Sequence, residues 1–334
     1  YLSGAIMPDL SASLSINHRE RDGFTRNVLL GVDNQDEDTD SVRTRWDYTL
    51  GRTSLQLHAD YSSDKRGDMG RTPLRNNGAF DYVALWQSLG GEANRSTAPI
   101  DGFSERRAKG VSLHALSEFD AGLVTVIGAW RDGTSSWEMA SIGAPFGGGI
   151  DLAAGVYGVD VNDDIDEHIQ QRSLELRWTS ADSEVFTYAA GAFILQENTD
   201  RVEQFKLDRN TTSAPQQTVG NEVTDQKNTT DSYALYGHGR WVMHPKWQLV
   251  AGVRFTQDRK HIITRSLNCG QQSDPLVANY AACDSGAGSL AILQRSFRVE
   301  SDHQWRDVSP KLALEYHPRA DTMVYASITI GFKS

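Results

Sequence analysis

Apolar and polar residues alternate with a period of two along most of this chain. Leu10, Ala12, Leu14 and Ile16 alternate with Ser11, Ser13, Ser15 and Asn17. Val42, Thr44, Trp46, Tyr48 and Leu50 alternate with Ser41, Arg43, Arg45, Asp47 and Thr49. The same spacing runs through Leu249, Ala251, Val253 and Phe255, and through Val308, Pro310, Leu312, Leu314 and Tyr316. In a strand, successive side chains point to opposite faces, so each segment is predicted to carry one apolar and one polar face. No comparably long segment has helical spacing.

The connections carry a second pattern. Turn-like links at Pro8-Asp9, Gly51-Arg52-Thr53, Asp120-Ala121-Gly122, Ser180–Ser183, His244-Pro245-Lys246 and Pro318–Asp321 each join two alternating segments. Between these hairpins lie long polar stretches, roughly 22–39, 64–105, 132–165, 198–229 and 259–303. Strict alternation of short and long links predicts about twelve strands, each of roughly the 9–11 residues that cross a bilayer at a tilt. A soluble β-sandwich has no such bias in loop length, and long structureless loops are unusual in a compact domain. An outer-membrane barrel has short turns at one rim and long loops at the other, with lipid outside and a wet lumen inside. The predicted fold is therefore all-β, an antiparallel transmembrane β-barrel. Trp178, Trp241, Trp247, Tyr316 and Tyr325 fall near strand ends, where interfacial girdles place aromatics.

Composition removes several classes. The chain has 334 residues and a net charge of −11, so binding driven by phosphate neutralisation along nucleic acid is disfavoured. The mean hydropathy of −0.48 fits no helical span, since such a span needs roughly 20 consecutive apolar residues. Thirty aromatics (8 Trp, 11 Tyr and 11 Phe) within ordered patterns disfavour disorder. Neither end reads as finished: the chain begins at Tyr1 without a secretory leader pattern and stops inside a strand-like pattern at Ile328–Ser334.

An ordered set of segments resembles the barrel of TonB-dependent outer-membrane receptors, in particular their iron-complex group. These are Leu10–Asn27, Gln171–Thr179, Asp231–Gly239, Trp247–Lys260, Asp307–Tyr316 and Met323–Ser334. One departure stands at Ile330, where that group carries a basic residue before Gly-Phe-Lys. The resemblance implies that residues 1–334 are a partial barrel. A plug domain with the TonB-contacting segment would precede it and further strands would follow, since such transporters have 22-stranded barrels with a plugged lumen. It also implies a Gram-negative outer-membrane location, contact with membrane lipid and lipopolysaccharide, and TonB-driven uptake of a bulky nutrient such as a ferric siderophore. The ferric chelate would be a transported ligand; no resident cofactor, metal or catalytic residue is expected. A passive porin, an outer-membrane enzyme and a secreted soluble β protein are the competing readings. The haem-receptor signature Phe-Arg-Ala-Pro does not occur.

Candidate chemistry follows from the strand faces. Arg43, Arg45 and Asp47 share one face, as do Glu175 with Arg177, Arg254 with Asp258, and Lys311 with Glu315. Such mixed signs suit a cross-strand ladder or contacts to a plug. The arginines Arg43, Arg45, Arg177 and Arg254 are also candidate contacts for an anionic chelate, because guanidinium pairs well with carboxylate. Trp86, Phe103, Trp137 and Phe146, in the long connections, are candidate ligand caps. Cys269 and Cys283 share one connection and, in an oxidising compartment, are expected to form a disulfide.

The acidic runs Asp33–Asp40 and Asp160–Glu167 are expected to be solvated loops. The second lacks the Gly and the closing Glu of an EF-hand, having Ile165 and Gln171 at those places. Cys283-Asp284-Ser285-Gly286 only echoes a serine-protease nucleophile, and a triad is a geometry that four residues do not supply. His238-Gly239 is followed by Arg240 where the outer-membrane phospholipase motif has Ser.

Overall fold

The computed structural model describes residues 1–74, 81–140, 158–211, 214–269, 297–319 and 321–333. Twelve strands form one antiparallel sheet. In chain order they are β1 (Leu2–Met7), β2 (Leu10–Arg21), β5 (Glu37–Leu50), β6 (Thr53–Gly67), β8 (Phe103–Phe119), β9 (Gly122–Ala140), β10 (Gly158–Ser180), β11 (Phe186–Thr211), β12 (Ala214–His244), β13 (Trp247–Cys269), β14 (Phe297–Arg319) and β15 (Thr322–Thr329). Each pairs with its neighbour in that order, so β1 and β15 are the edges of an open wall. Three short strands, β3 (Thr25–Asn27), β4 (Val32–Asn34) and β7 (Arg95–Ser96), form a separate sheet in the order β4-β3-β7. A seven-residue helix, α1 (Tyr82–Ser88), starts where the Asp81 side chain accepts the Ala84 amide.

Because every neighbour is a sequential antiparallel partner, all six predicted tight turns lie at one end of the wall. All the longer connections lie at the other. At the tight end Gly51 has φ +59°, a left-handed conformation that glycine adopts without penalty and that suits the hairpin between β5 and β6.

Register shows which residues share a face. Trp46 pairs with Ala12 on one side and Leu57 on the other. Leu57 pairs with Leu113, Leu113 with Gly128, and Gly128 with Leu174. Leu174 continues the row to Ile194 and Tyr233. Directly opposed residues point the same way, so this row is one continuous apolar band. Its members are open: Leu113, Leu174, Ile194 and Tyr233 are each between 45% and 51% exposed. A soluble sheet buries such a face, whereas a barrel wall turns it to lipid.

Aromatics bound the band. Toward the tight turns stand Tyr48, Trp178, Tyr188, Trp241, Trp247 and Tyr316; toward the long connections stand Tyr61, Trp130, Tyr233 and Phe255. From Trp247 to Phe255 the strand runs about 27 Å, or about 20 Å of height after tilting, near the roughly 25 Å apolar band of outer-membrane barrels.

The structure corrects three expectations. All strands of the wall but the edge strands β1 and β15 exceed 9–11 residues: β11 has 26 and β12 has 31. The polar stretch 198–229 is mostly a hairpin extension of these two strands, with Asn198 still paired to Thr229 and Val202 to Asp225. Above the lipid both strand faces meet water, so the backbone ladder continues without apolar alternation. The acidic run Asp160–Glu167 is likewise in β10 rather than a loop. Within Asp33–Asp40, Asn34 and Glu37 are buried rather than solvated.

Candidate functional site

The face opposite the apolar band is polar, and its groups hold one another. Asp60 on β6 accepts from the Arg131 guanidinium at 3.2 Å. Arg45 donates Nε and Nη2 to Asp47 at 3.0 and 2.7 Å. Farther along the wall, Arg177, Gly191, Tyr236 and Arg254 stand opposite one another in one row across β10 to β13. The Tyr236 hydroxyl donates to Glu175, and the Arg254 guanidinium lies 5.7 Å from the Tyr236 ring centroid and 5.9 Å from that of Phe193. Gly191 makes this row possible: a Cβ there would collide with the Tyr236 hydroxyl and the Leu176 carbonyl. Near the long connections Glu37, its side chain 8% exposed, is contacted by Arg19, by Arg66 at 3.5 Å and by Arg21 at 3.9 Å.

At the long-connection end residues 24–35 pack against residues 68–70 and 94–98. Asn27 is fully buried; its Nδ2 donates to the Ala98 carbonyl at 2.9 Å and its Oδ1 accepts the Leu29 amide at 3.0 Å and the Leu30 amide at 3.2 Å. Asn34 Nδ2 donates to Ser96 Oγ at 3.3 Å. Buried Asp68 lies 3.5 Å from Asn34 Nδ2 and accepts the Gly70 amide at 3.2 Å. Burial pushes the Asp68 carboxyl above the usual range, against the opposing pull of the Gly70 and Met69 amides. A polar unit closed in this way holds two connections in one arrangement.

Between that unit and the wall lies a cavity of about 520 Å³. Phe103, Trp137, Met69, Met139 and Ile169 give it apolar surface, and Asp68, Arg106, Arg107, Glu138 and Glu167 give it charge. A pocket of this size, apolar with a few charges, can hold a compact organic ligand.

The expected site residues divide into separate places. Phe103 on β8 and Trp137 on β9 both line the cavity, at positions of opposite parity: Trp137 pairs with Ser104 and Phe103 with Glu138. Trp86 lies in α1, where its Nε1 donates to the Arg95 carbonyl at 2.9 Å, so it anchors its own connection. Arg43, Arg45, Arg177 and Arg254 do face the polar side but far below. Trp137 pairs with Ile165, and Arg177 lies twelve residues along β10, about 40 Å of extended strand. Arg254 shares the row of Arg177. Arg45 is eight residues below Glu37, the β5 member of the Trp137 row, about 27 Å away. One chelate therefore does not touch both groups at once. Phe146 and Cys283 lie outside the described residues, and with Cys283 the expected disulfide. The expected mixed-sign face is present, whereas the cavity members Asp68, Met69, Arg106, Met139 and Glu167 were not singled out by sequence. Only the period-two position of Arg106, Trp137 and Glu167 marked them as facing the same way.

A family model described as "TonB dependent receptor-like, beta-barrel" matches residues 7–334. Among solved structures, the ferric yersiniabactin uptake receptor FyuA from Yersinia pestis aligns with a TM-score of 0.66 and 15% identity, over 97% of this chain and 42% of that one. The ferric-catecholate import receptor Fiu from E. coli K12, in its open form, gives 0.62 and 13%, over 98% and 51%. The ferric citrate transporter FecA, unliganded, gives 0.60 and 14%, over 97% and 39%. At these identities the likeness is one of fold, and the chain spans between two-fifths and about half of the length of these receptors. No match to the chain is found among curated protein sequences. The open wall of twelve antiparallel strands, its exposed apolar band and the match over nearly all its length agree: this chain belongs to the TonB-dependent receptor-like β-barrel family, whose members are Gram-negative outer-membrane transporters rather than enzymes.

Proposed function

We infer that the chain supplies part of the wall and the mouth of a receptor that captures a bulky ferric chelate, a siderophore, for TonB-dependent uptake. The observation that carries this reading is the cavity at the mouth, where Trp137, Met139 and Ile169 stand on the polar face with Arg106, beside Met69 of the packed connections. Aromatic and methionine surface suits the organic part of a chelate, and guanidinium suits its oxygen-rich anionic part. The solved receptors with the same fold take up ferric yersiniabactin, ferric catecholates and ferric citrate by their descriptions, which supports the same class of ligand here.

The lower arginines have a different role in this reading. Arg45 and Arg254 are engaged by Asp47, Thr256 and Tyr236, in keeping with a wall that contacts a plug. A plug domain and further strands would belong to the remainder of the receptor, and TonB would act through that plug.

The experiment is uptake of radiolabelled iron, presented as yersiniabactin-type, catecholate and citrate complexes, by cells whose only such receptor carries this wall. Uptake of one complex should require TonB. It should fall about tenfold with Trp137→Ala or Arg106→Ala, the loss of one aromatic or charge-assisted contact. Uptake of none of the complexes, or uptake unchanged without TonB, contradicts the reading.

A further inference from the structure

On the outward face, β2 and β5 carry a cluster of metal-ligand side chains just above the apolar band. Ile16, Val42 and Tyr61 form the last outward row of that band across β2, β5 and β6. In the next outward row His18 stands opposite Asp40, and in the row beyond it Glu20 stands opposite Asp38. Side chains two apart on a strand share a face. One imidazole and three carboxylates therefore occupy a single patch.

Their donor atoms converge. His18 Nδ1 lies 2.9 Å from Asp40 Oδ1 and 4.0 Å from Asp38 Oδ1, and the three side chains offer donor atoms all within 4.8 Å of one another. Donors bound tetrahedrally to one zinc ion at about 2.0–2.2 Å stand about 3.3 Å apart, between the two separations found here. On the other side of the ring the Glu20 carboxylate lies 3.8 Å from Nε2. That is the place of the carboxylate that takes the second N–H of a metal-ligating histidine and orients its ring.

Charge points the same way. Among the described residues no lysine or arginine forms an ion pair with Glu20, Asp38 or Asp40, and Lys65 stands opposite Asp38 without making one. A comparable group farther along the wall is built differently. His261 lies 3.2 Å from Asp302 and 3.9 Å from Glu300, but Arg298 stands 2.6 Å from Glu300 and neutralises it. The His18 group instead gathers three carboxylates with no fixed cation beside them.

We propose that His18, Asp38 and Asp40 bind a divalent transition-metal ion of the zinc class, bridging β2 and β5 where the wall rises out of the apolar band. Nδ1 and one oxygen from each aspartate are the ligands, and water completes the coordination at this solvent-facing place. Glu20 is a positioning residue that holds Nε2. One imidazole with two carboxylates suits zinc-class ions, whereas calcium and magnesium take oxygen donors and gain nothing from the imidazole. The ion is held by the protein alone and is separate from the ferric ligand of the transport reading.

The test uses the intact receptor, purified in detergent and stripped of lipid, with zinc ion alone as probe. Competition against a chromophoric chelator should reveal a site whose affinity falls about tenfold or more for His18→Gln and for Asp40→Asn, since even an outer partner of a ligand is worth that much. Glu20→Gln should weaken the site while leaving hydrogen exchange of the zinc-free protein unchanged. His261→Gln should leave zinc affinity as it was. Zinc should slow exchange in residues 16–20 and 38–42 of the wild type and not of His18→Gln, and excess magnesium should not reverse this. Heat-modifiable migration on gels verifies folding of each variant. Undiminished zinc affinity in folded His18→Gln overturns the proposal, as does an equal loss in His261→Gln or displacement of zinc by magnesium.

Discussion

Trp247 and Tyr316 face each other across β13 and β14 with ring centroids 4.4 Å apart, at the tight-turn end of an otherwise aliphatic face. Above them that face stays open: Val253 is 52% exposed and Leu312 49%. Leu249, Ala251, Val253 and Phe255 continue it on β13, and Val308, Leu312 and Leu314 on β14. Rings that are half apolar and half polar suit a lipid–water boundary, and here they lie at both ends of the band.

Neighbouring residues of β8 should therefore differ sharply in what they tolerate. Leu113 points outward and is 46% exposed, while Ser112 points to the polar side. Leu113→Arg should lower stability by about 2–4 kcal/mol, the range for a cation at the middle of a barrel's lipid face. Ser112→Arg should change it by less than about 1 kcal/mol, as an ordinary substitution on a wet face does. Reversible denaturant unfolding in lipid vesicles measures both; equal losses would contradict the assignment of faces.

Removing the Asn27 side chain should loosen the unit over the mouth without opening the wall. Asn27→Ala deletes three hydrogen bonds at a fully buried position, and each buried group left unpaired costs about 1–3 kcal/mol. Hydrogen exchange should speed up in residues 25–34 and 95–98 and stay unchanged in β13 and β14. An effect spread over the whole sheet would show that the unit is not separate.

That unit should also respond to acid in an unusual direction. Burial raises the Asp68 carboxyl above its ordinary value, so the folded unit binds its proton more readily than the unfolded chain does. Stability contributed by this group is then fully present below the ordinary aspartate value. It is lost as pH rises through the window up to the raised one. Exchange protection of residues 68–70, corrected for intrinsic rates, should increase on going from neutral pH into that window. Asp68→Asn should abolish the change, and an unchanged pH response in that variant would exclude Asp68 as its source.

The expected pair Cys269–Cys283 gives a further check. A disulfide closing a loop of about 15 residues contributes about 3 kcal/mol in the chain-entropy model. Thiol titration of denatured, unreduced receptor should find no free thiol from this pair; two free thiols would remove it.

Much of the wall was legible in the sequence, for a physical reason. Between lipid and water each strand must alternate, and Val42 to Leu50 or Leu249 to Phe255 show that alternation directly. The tight turns were legible because Pro8-Asp9, Gly51 and His244-Pro245 punctuate it. Beyond the bilayer the constraint lapses. Asp160–Glu167 and the segment around Asn198 and Thr229 read as loops because both of their faces are polar, yet the backbone ladder carries through them. The roof over the mouth was hidden for another reason: Asn27 and Ala98 are 71 residues apart, and their bond is polar rather than apolar. Trp137 and Phe103 were visible as aromatics in long connections. That Trp137 stands on the polar face, about 40 Å along β10 from the row of Arg177, follows only from register.

The central claim is that one face of this sheet meets lipid and the other meets water. Nitroxide labels placed singly at positions 249 to 258, in receptor with Cys269 and Cys283 replaced by Ser and reconstituted into bilayers, test it most directly. Odd positions through 255 should show high collision rates with oxygen and low rates with a water-soluble nickel complex. Even positions should not share that exposure to oxygen. Uniform accessibility along the series, or the reverse alternation, would contradict the account.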